Sequence, residues 1–172
     1  QHSPQLCRVR TMCSTGPSPR TWRRCRRPAV SSSGPYAWRE VPWRVWGVIE
    51  HALAGHPPPF ILDASGAMRE LKQGGIPLGL FEGSAYEQGR DVLAEGERLV
   101  LYTDGILEAS PEGQRANAFG VRRLAQAIAG APFDAEASCN AALEALEDFT
   151  GGASPKDDAT LLVAVRSRPV SA

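Results

Sequence analysis

The chain has 172 residues, 42% of them hydrophobic and 22% charged, which is material for one domain of ordinary size. Its formal net charge of zero is the sum of two unlike parts: residues 1–46 hold nine Arg against one acid (Glu40), net +8, and residues 47–172 hold ten basic and eighteen acidic residues, net −8. No apolar run reaches the ~18 residues of a membrane helix, and no apolar stretch follows the Arg-rich start as a signal peptide requires, so a soluble, cytoplasmic chain without a membrane segment is expected.

Residues 1–46 come first and are irregular by pattern. Six prolines (Pro4, Pro17, Pro19, Pro28, Pro35, Pro42) and the run Ser31-Ser32-Ser33-Gly34 break any long element. Arg20-Thr21-Trp22-Arg23-Arg24-Cys25-Arg26-Arg27 is the most basic stretch. It reads either as a patch for nucleic acid or an acidic partner, with Trp22 free to stack on a base, or as a disordered tail. A third reading is a non-native stretch from out-of-frame translation of a GC-rich gene. Three of the four Cys (Cys7, Cys13, Cys25) lie here without paired spacing, and Cys139 stands alone, so neither a zinc site nor a disulfide framework is indicated. The chain opens on Gln1 rather than Met, and a fragment of a longer protein is expected.

From Val48 the texture is that of a globular domain, expected over residues 48–168. Val48-Ile49-Glu50-His51-Ala52-Leu53-Ala54 and Phe60-Ile61-Leu62-Asp63, joined by Gly55-His56-Pro57-Pro58-Pro59, read as a hairpin. Ala67-Met68-Arg69-Glu70-Leu71 is a short strand candidate closed by Gly74-Gly75, and residues 86–93 alternate loosely. Arg98-Leu99-Val100-Leu101-Tyr102-Thr103 is the clearest buried strand and ends on Asp104-Gly105. A polar loop over 110–117 precedes two helices. Val121, Leu124, Ala125 and Ile128 mark one face of the first, over 121–129. The second runs over 134–149 from an N-capping Asp134, with Ala135, Cys139, Ala142, Leu143, Leu146 and Phe149 on one side and Gly151-Gly152 as its stop. Ala159-Thr160-Leu161-Leu162-Val163-Ala164-Val165 is a last buried strand. Strands, two adjacent helices and a strand predict an α+β fold with a largely antiparallel sheet.

Two places combine an acid with the end of an apolar strand: Asp104 before Gly105, and Asp157-Asp158 before Thr160. A carboxylate on a rigid strand end can be aimed, and a glycine beside it admits a sharp turn or a close ligand. If the two strands are neighbours, the acids share one rim that suits a hard divalent ion. Taken singly, Asp-Gly is a common turn and Lys-Asp-Asp a solvated loop.

Five motifs in order narrow the choice. Ala54-Gly55-His56-Pro57-Pro58-Pro59, Gly75-Ile76-Pro77-Leu78-Gly79-Leu80, Leu99-Val100-Leu101-Tyr102-Thr103-Asp104-Gly105-Ile106-Leu107-Glu108-Ala109, Phe119-Gly120 and Asp157-Asp158-Ala159-Thr160-Leu161-Leu162-Val163 together resemble one family. It is the bacterial stage-II sporulation protein E branch of the metal-dependent (type 2C) serine/threonine protein phosphatases, and the resemblance covers about residues 48–166. It implies part of an α-β-β-α sandwich and phosphomonoester hydrolysis by water held between two divalent ions, Mn²⁺ or Mg²⁺ (manganese or magnesium). Asp104 and Asp157 are the implied metal ligands. Asp158 and Gly105 belong to the loop or second shell, and Gly55, His56 and Pro57 form a structural turn in which His56 braces rather than transfers protons. Glu108 reads as a surface acid. The implied partner is a phosphoprotein, with an anti-sigma-factor antagonist as one candidate.

The family pattern also includes upstream acids, one set in an Asp-x-x-Gly-His-Gly type motif, and these do not occur here; the only Asp-Gly is Asp104-Gly105, and residues 1–46 contain no Asp. Two further readings therefore stand beside an active phosphatase: a truncated, non-catalytic module that binds a partner in sigma-factor partner switching, and a basic nucleic-acid arm on a phosphatase-like remnant. The lack of a basic or aromatic groove from Val48 onward weighs against nucleic acid.

Overall fold

The computed structural model describes residues 47–114, 116–153 and 157–167 in full, together with the backbone course of residues 7–14 and 23–24. In chain order the strands are β1 (Cys7–Ser14), β2 (Arg23–Arg24), β3 (Val48–His51), β4 (Leu53–Ala54), β5 (Phe60–Leu62), β6 (Met68–Glu70), β7 (Gly74–Gly75), β8 (Gly89–Val92) and β9 (Arg98–Tyr102). Helices α1 (Asp104–Leu107), α2 (Gly120–Gly130) and α3 (Ala135–Thr150) follow, and β10 (Ala159–Arg166) closes the fold.

Six strands form one antiparallel sheet in the order β2-β1-β10-β9-β5-β6. Alternation along the strands sorts its two faces. Phe60, Leu62, Val100, Tyr102, Leu161, Val163 and Val165 point to the side covered by α2 and α3, where they pack with Leu124, Ile128, Cys139, Ala142 and Leu146. The opposite face contributes Ile61 and Leu99, which meet Leu71, Leu93 and Ile49 of the β3 region. There β3 pairs antiparallel with β8, and β4 pairs parallel with β7. Helices on one face and short ribbons on the other make this a mixed, mostly antiparallel architecture, part of an α-β-β-α sandwich.

The helices follow the chemistry of their sequence. Asp134 caps α3 by accepting the N–H groups of Glu136 and Ala137 through its side chain, and Gly151 ends the helix in a left-handed conformation at φ 64° that favours glycine. At the end of α2, the buried Arg98 donates from Nη1 to the Ile128 carbonyl and from Nη2 to the Ala131 carbonyl. A cation is thereby set at the carbonyl end of the helix, where it complements the helix dipole. Burial lowers the Arg98 pKa from its ordinary value.

Two features differ from the expected pattern. The hairpin between residues 48–54 and 60–63 does not form; β3 pairs with β8 instead, and β5 lies between β9 and β6. Three successive prolines offer no N–H and fix an extended φ, so they carry the chain from one layer to the other rather than closing a turn. Phe60, Ile61 and Leu62 are 0%, 1% and 0% exposed, a burial on both faces that a central strand provides. Within the segment expected to be irregular, residues 7–14 form a strand that pairs with β10 along its whole length. Cys7-Arg8-Val9-Arg10-Thr11-Met12 does alternate apolar or small with charged or long side chains, a period-two signal obscured by the prolines around it. The rest of the basic run at 20–27, Trp22 included, lies outside the described residues, apart from the backbone of β2.

Candidate metal centre

The adjacency of β9 and β10 decides the geometry of the acidic rim. Their antiparallel register sets Leu161 opposite Tyr102, which brings the end of β9 beside the start of β10. Just past that pair, the Thr103 N–H donates to the Thr160 carbonyl at 3.1 Å. The Thr103 hydroxyl donates to the Asp158 carbonyl at 2.9 Å and accepts the Thr160 N–H at 2.9 Å. One side chain thus ties the Asp104 end of β9 to the Asp157-Asp158 loop. Gly105 completes the join, since its α-carbon lies against the carbonyls of Asp157 and Asp158 with no room for a β-carbon.

Asp104 is the first residue of α1, a single turn too short to show in the sequence pattern. Its Oδ1 accepts the Gly105 N–H at 3.1 Å, and Asp157 Oδ1 accepts the Asp158 N–H at 2.7 Å. Asp104, Asp157 and Asp158 are all exposed, and none of them pairs with a cation among the described residues. Each of the two ligand candidates spends one oxygen on a local amide, and both residues are exposed. This donor set fits a hard divalent ion, which takes carboxylate oxygens. The described residues supply only part of a shell: they contain no group of three or more His, Cys, Asp or Glu placed to hold a metal.

A further motif is attached to β9. The Tyr102 hydroxyl donates to the Pro58 carbonyl at 2.7 Å, fastening the Gly55-His56-Pro57 turn to β9. Burial, and then the charge of Glu70, push the Tyr102 pKa up to about 12. His56 is exposed, and its Nδ1 lies 2.8 Å from the Pro57 carbonyl, to which it donates as the Nδ1–H tautomer. Gly55 abuts the Pro77 ring at φ 78°, and its N–H donates to the Gly75 carbonyl, so the Gly75-Ile76-Pro77-Leu78-Gly79 connection rests on the same turn. Glu108 is exposed one turn beyond Asp104, and its N–H donates to the Asp104 carbonyl within the helix. Thr103 is the residue that pattern reading passed over. As the last position of an apolar strand it looked like strand filler, and only its partners across the β9–β10 gap reveal it.

The fold recurs in solved structures. The RsbU and RsbW domains of Rv1364c from Mycobacterium tuberculosis align with a TM-score of 0.58 at 29% identity, over 73% of this chain and 35% of that one. The PP2C phosphatase domain and regulatory fragment of the cell fate determinant SpoIIE from Bacillus subtilis align with a TM-score of 0.57 at 18% identity, over 71% of this chain and 35% of that one, a likeness of fold. Among curated proteins, the phosphoserine phosphatase RsbP of Bacillus subtilis (strain 168) is 37% identical over 60 residues, which are 35% of this chain and 15% of that protein. The fold is that of a PP2C phosphatase domain, in part. The family model of Stage II sporulation protein E (SpoIIE) matches residues 45–167, and the chain belongs to that family. It spans 15% of the length of RsbP and 35% of each of the two solved chains. Among the described residues no helix is long and apolar enough to cross a membrane.

Proposed function

We propose that residues 48–168 are the C-terminal part of a metal-dependent phosphoserine/phosphothreonine protein phosphatase domain, with Asp104 and Asp157 as ligands to Mn²⁺ or Mg²⁺. The observation that supports this reading is the junction of Thr103, Gly105 and Asp158, which joins the Asp104 end of β9 to the loop carrying Asp157 within the family's matched segment. When bound, divalent ions supply a water of lowered pKa and offset charge on the phosphoryl oxygens. The chain's own part is to hold and aim. Asp104 and Asp157 each have a carboxylate oxygen beyond the one bonded to a local amide, Asp158 shapes the loop through its backbone, and Tyr102 ties β9 to the Pro58 carbonyl next to the Gly55-His56-Pro57 turn. The substrate class is a phosphoprotein, for which an anti-sigma-factor antagonist in a cytoplasmic partner-switching pathway is the candidate.

One observation favours a second reading, a non-catalytic phosphatase-like module in such a pathway: the described residues contain no group of three or more His, Cys, Asp or Glu placed to hold a metal. Hydrolysis of p-nitrophenyl phosphate with Mn²⁺ separates the two. Turnover that is lost in Asp104→Ala and in Asp157→Ala supports the enzyme. Equal residual rates in the parent and both variants would leave the binding module as the function of this chain.

A further inference from the structure

We infer that the Thr103 hydroxyl is a positioning group for the metal rim, holding the Asp104 and Asp157 carboxylates at a fixed separation. This inference rests on the metal-site reading above. Thr103 Oγ1 uses its proton and one lone pair at once: it donates to the Asp158 carbonyl and accepts the Thr160 N–H, each at 2.9 Å. Both partners belong to the strand and loop that carry Asp157, whereas Thr103 itself immediately precedes Asp104. Valine has the same shape as threonine but neither donates nor accepts, so it would leave the Asp158 carbonyl and the Thr160 amide without this partner. The backbone bond from the Thr103 N–H to the Thr160 carbonyl survives such a change. The strands should therefore stay paired while the loop beyond them loosens. Groups that orient ligands without touching the ion change its affinity, and their loss costs about 10- to 100-fold.

The test is Mn²⁺ binding to the full chain, followed by electron paramagnetic resonance of the free ion, with circular dichroism on each protein to establish folding. Thr103→Val is expected to weaken binding by about 10-fold or more while the thermal transition is retained, and Thr103→Ser, which keeps the hydroxyl, is expected to restore the parent affinity. Thr103→Ala is the second variant should the valine protein not fold. Parent-like Mn²⁺ affinity in a folded Thr103→Val or Thr103→Ala protein overturns the positioning role and leaves the metal site standing. Failure of the parent chain to bind Mn²⁺ overturns the metal-site reading and this inference together.

Discussion

Gly105 and Asp158 meet backbone to backbone, so that a β-carbon on Gly105 would stand 2.6 Å from the Asp158 carbonyl oxygen and 3.1 Å from that of Asp157. The glycine of the Thr103-Asp104-Gly105 motif is thus required by the close approach of α1 to the Asp157-Asp158 loop, not by its own backbone angles. The contact has no flexible side chain to yield. Gly105→Ala must push the Asp157-Asp158 loop away from α1, and overpacking of this kind costs roughly 1–3 kcal/mol. Denaturant unfolding checks the loss. Unchanged stability would mean that α1 and this loop do not touch in solution.

Arg98 gives a second prediction. It is 7% exposed, and its guanidinium holds the Ile128 and Ala131 carbonyls at the end of α2. Arg98→Met keeps much of the apolar stem but leaves both carbonyls without their charged donor, a loss of roughly 2–3 kcal/mol. Arg98→Lys should rescue little, because one ammonium cannot reproduce the planar fork that reaches two carbonyls. Equal urea midpoints for the parent, methionine and lysine proteins would contradict this role.

Tyr102 should report on the turn at Pro58. Its pKa is raised from 10.0 to about 12, first by burial and then by Glu70. A group whose folded pKa lies above its unfolded value contributes stability that is fully present below the unfolded value. That stability is lost as pH rises through the folded one, here between 10.0 and about 12. A late tyrosine ionisation is therefore expected in an alkaline titration followed by ultraviolet absorbance. That phase should vanish in Tyr102→Phe, which also loses the bond to Pro58 at a cost of about 1 kcal/mol. Absence of a late phase in the parent protein would contradict the buried hydroxyl.

The pairing of β1 with β10 predicts a consequence of truncation. Removing residues 1–46 uncovers the hydrogen-bonding edge of an eight-residue strand, Ala159–Arg166. An open edge of that kind recruits other chains. Size-exclusion chromatography should show self-association of the truncated protein. A monodisperse, equally stable truncated protein would show that β1 does not cover β10.

Much of this architecture was legible from the sequence wherever a single periodicity was strong. Leu124, Ala125 and Ile128 reveal α2, the Asp134 cap and Gly151 bracket α3, and the apolar runs of β9 and β10 name themselves. Asp104 and Asp157 were also visible as acids at strand ends, because a strand end is a local feature. What stayed hidden depends on partners distant in sequence. Whether Val48–His51 pairs with Phe60–Leu62 or with Gly89–Val92 is decided by burial of β5 on both faces, which neither segment displays alone. The hydrogen-bond partners of Thr103, Asp158 and Thr160, lie more than fifty residues away in sequence. The four residues of α1 are too few for a helical period to show.

The central claim, that Asp104 and Asp157 form one rim of a divalent-cation site, is tested most directly by isothermal titration of Mn²⁺ into the full chain and into Asp104→Asn and Asp157→Asn. These substitutions keep the shape of each side chain and remove its charge. Binding to the parent chain that weakens by more than about 10-fold in each variant, beyond what loss of a mere supporting partner costs at the low end, is the predicted result. Equal Mn²⁺ affinity in all three proteins, or none in the parent, would contradict it.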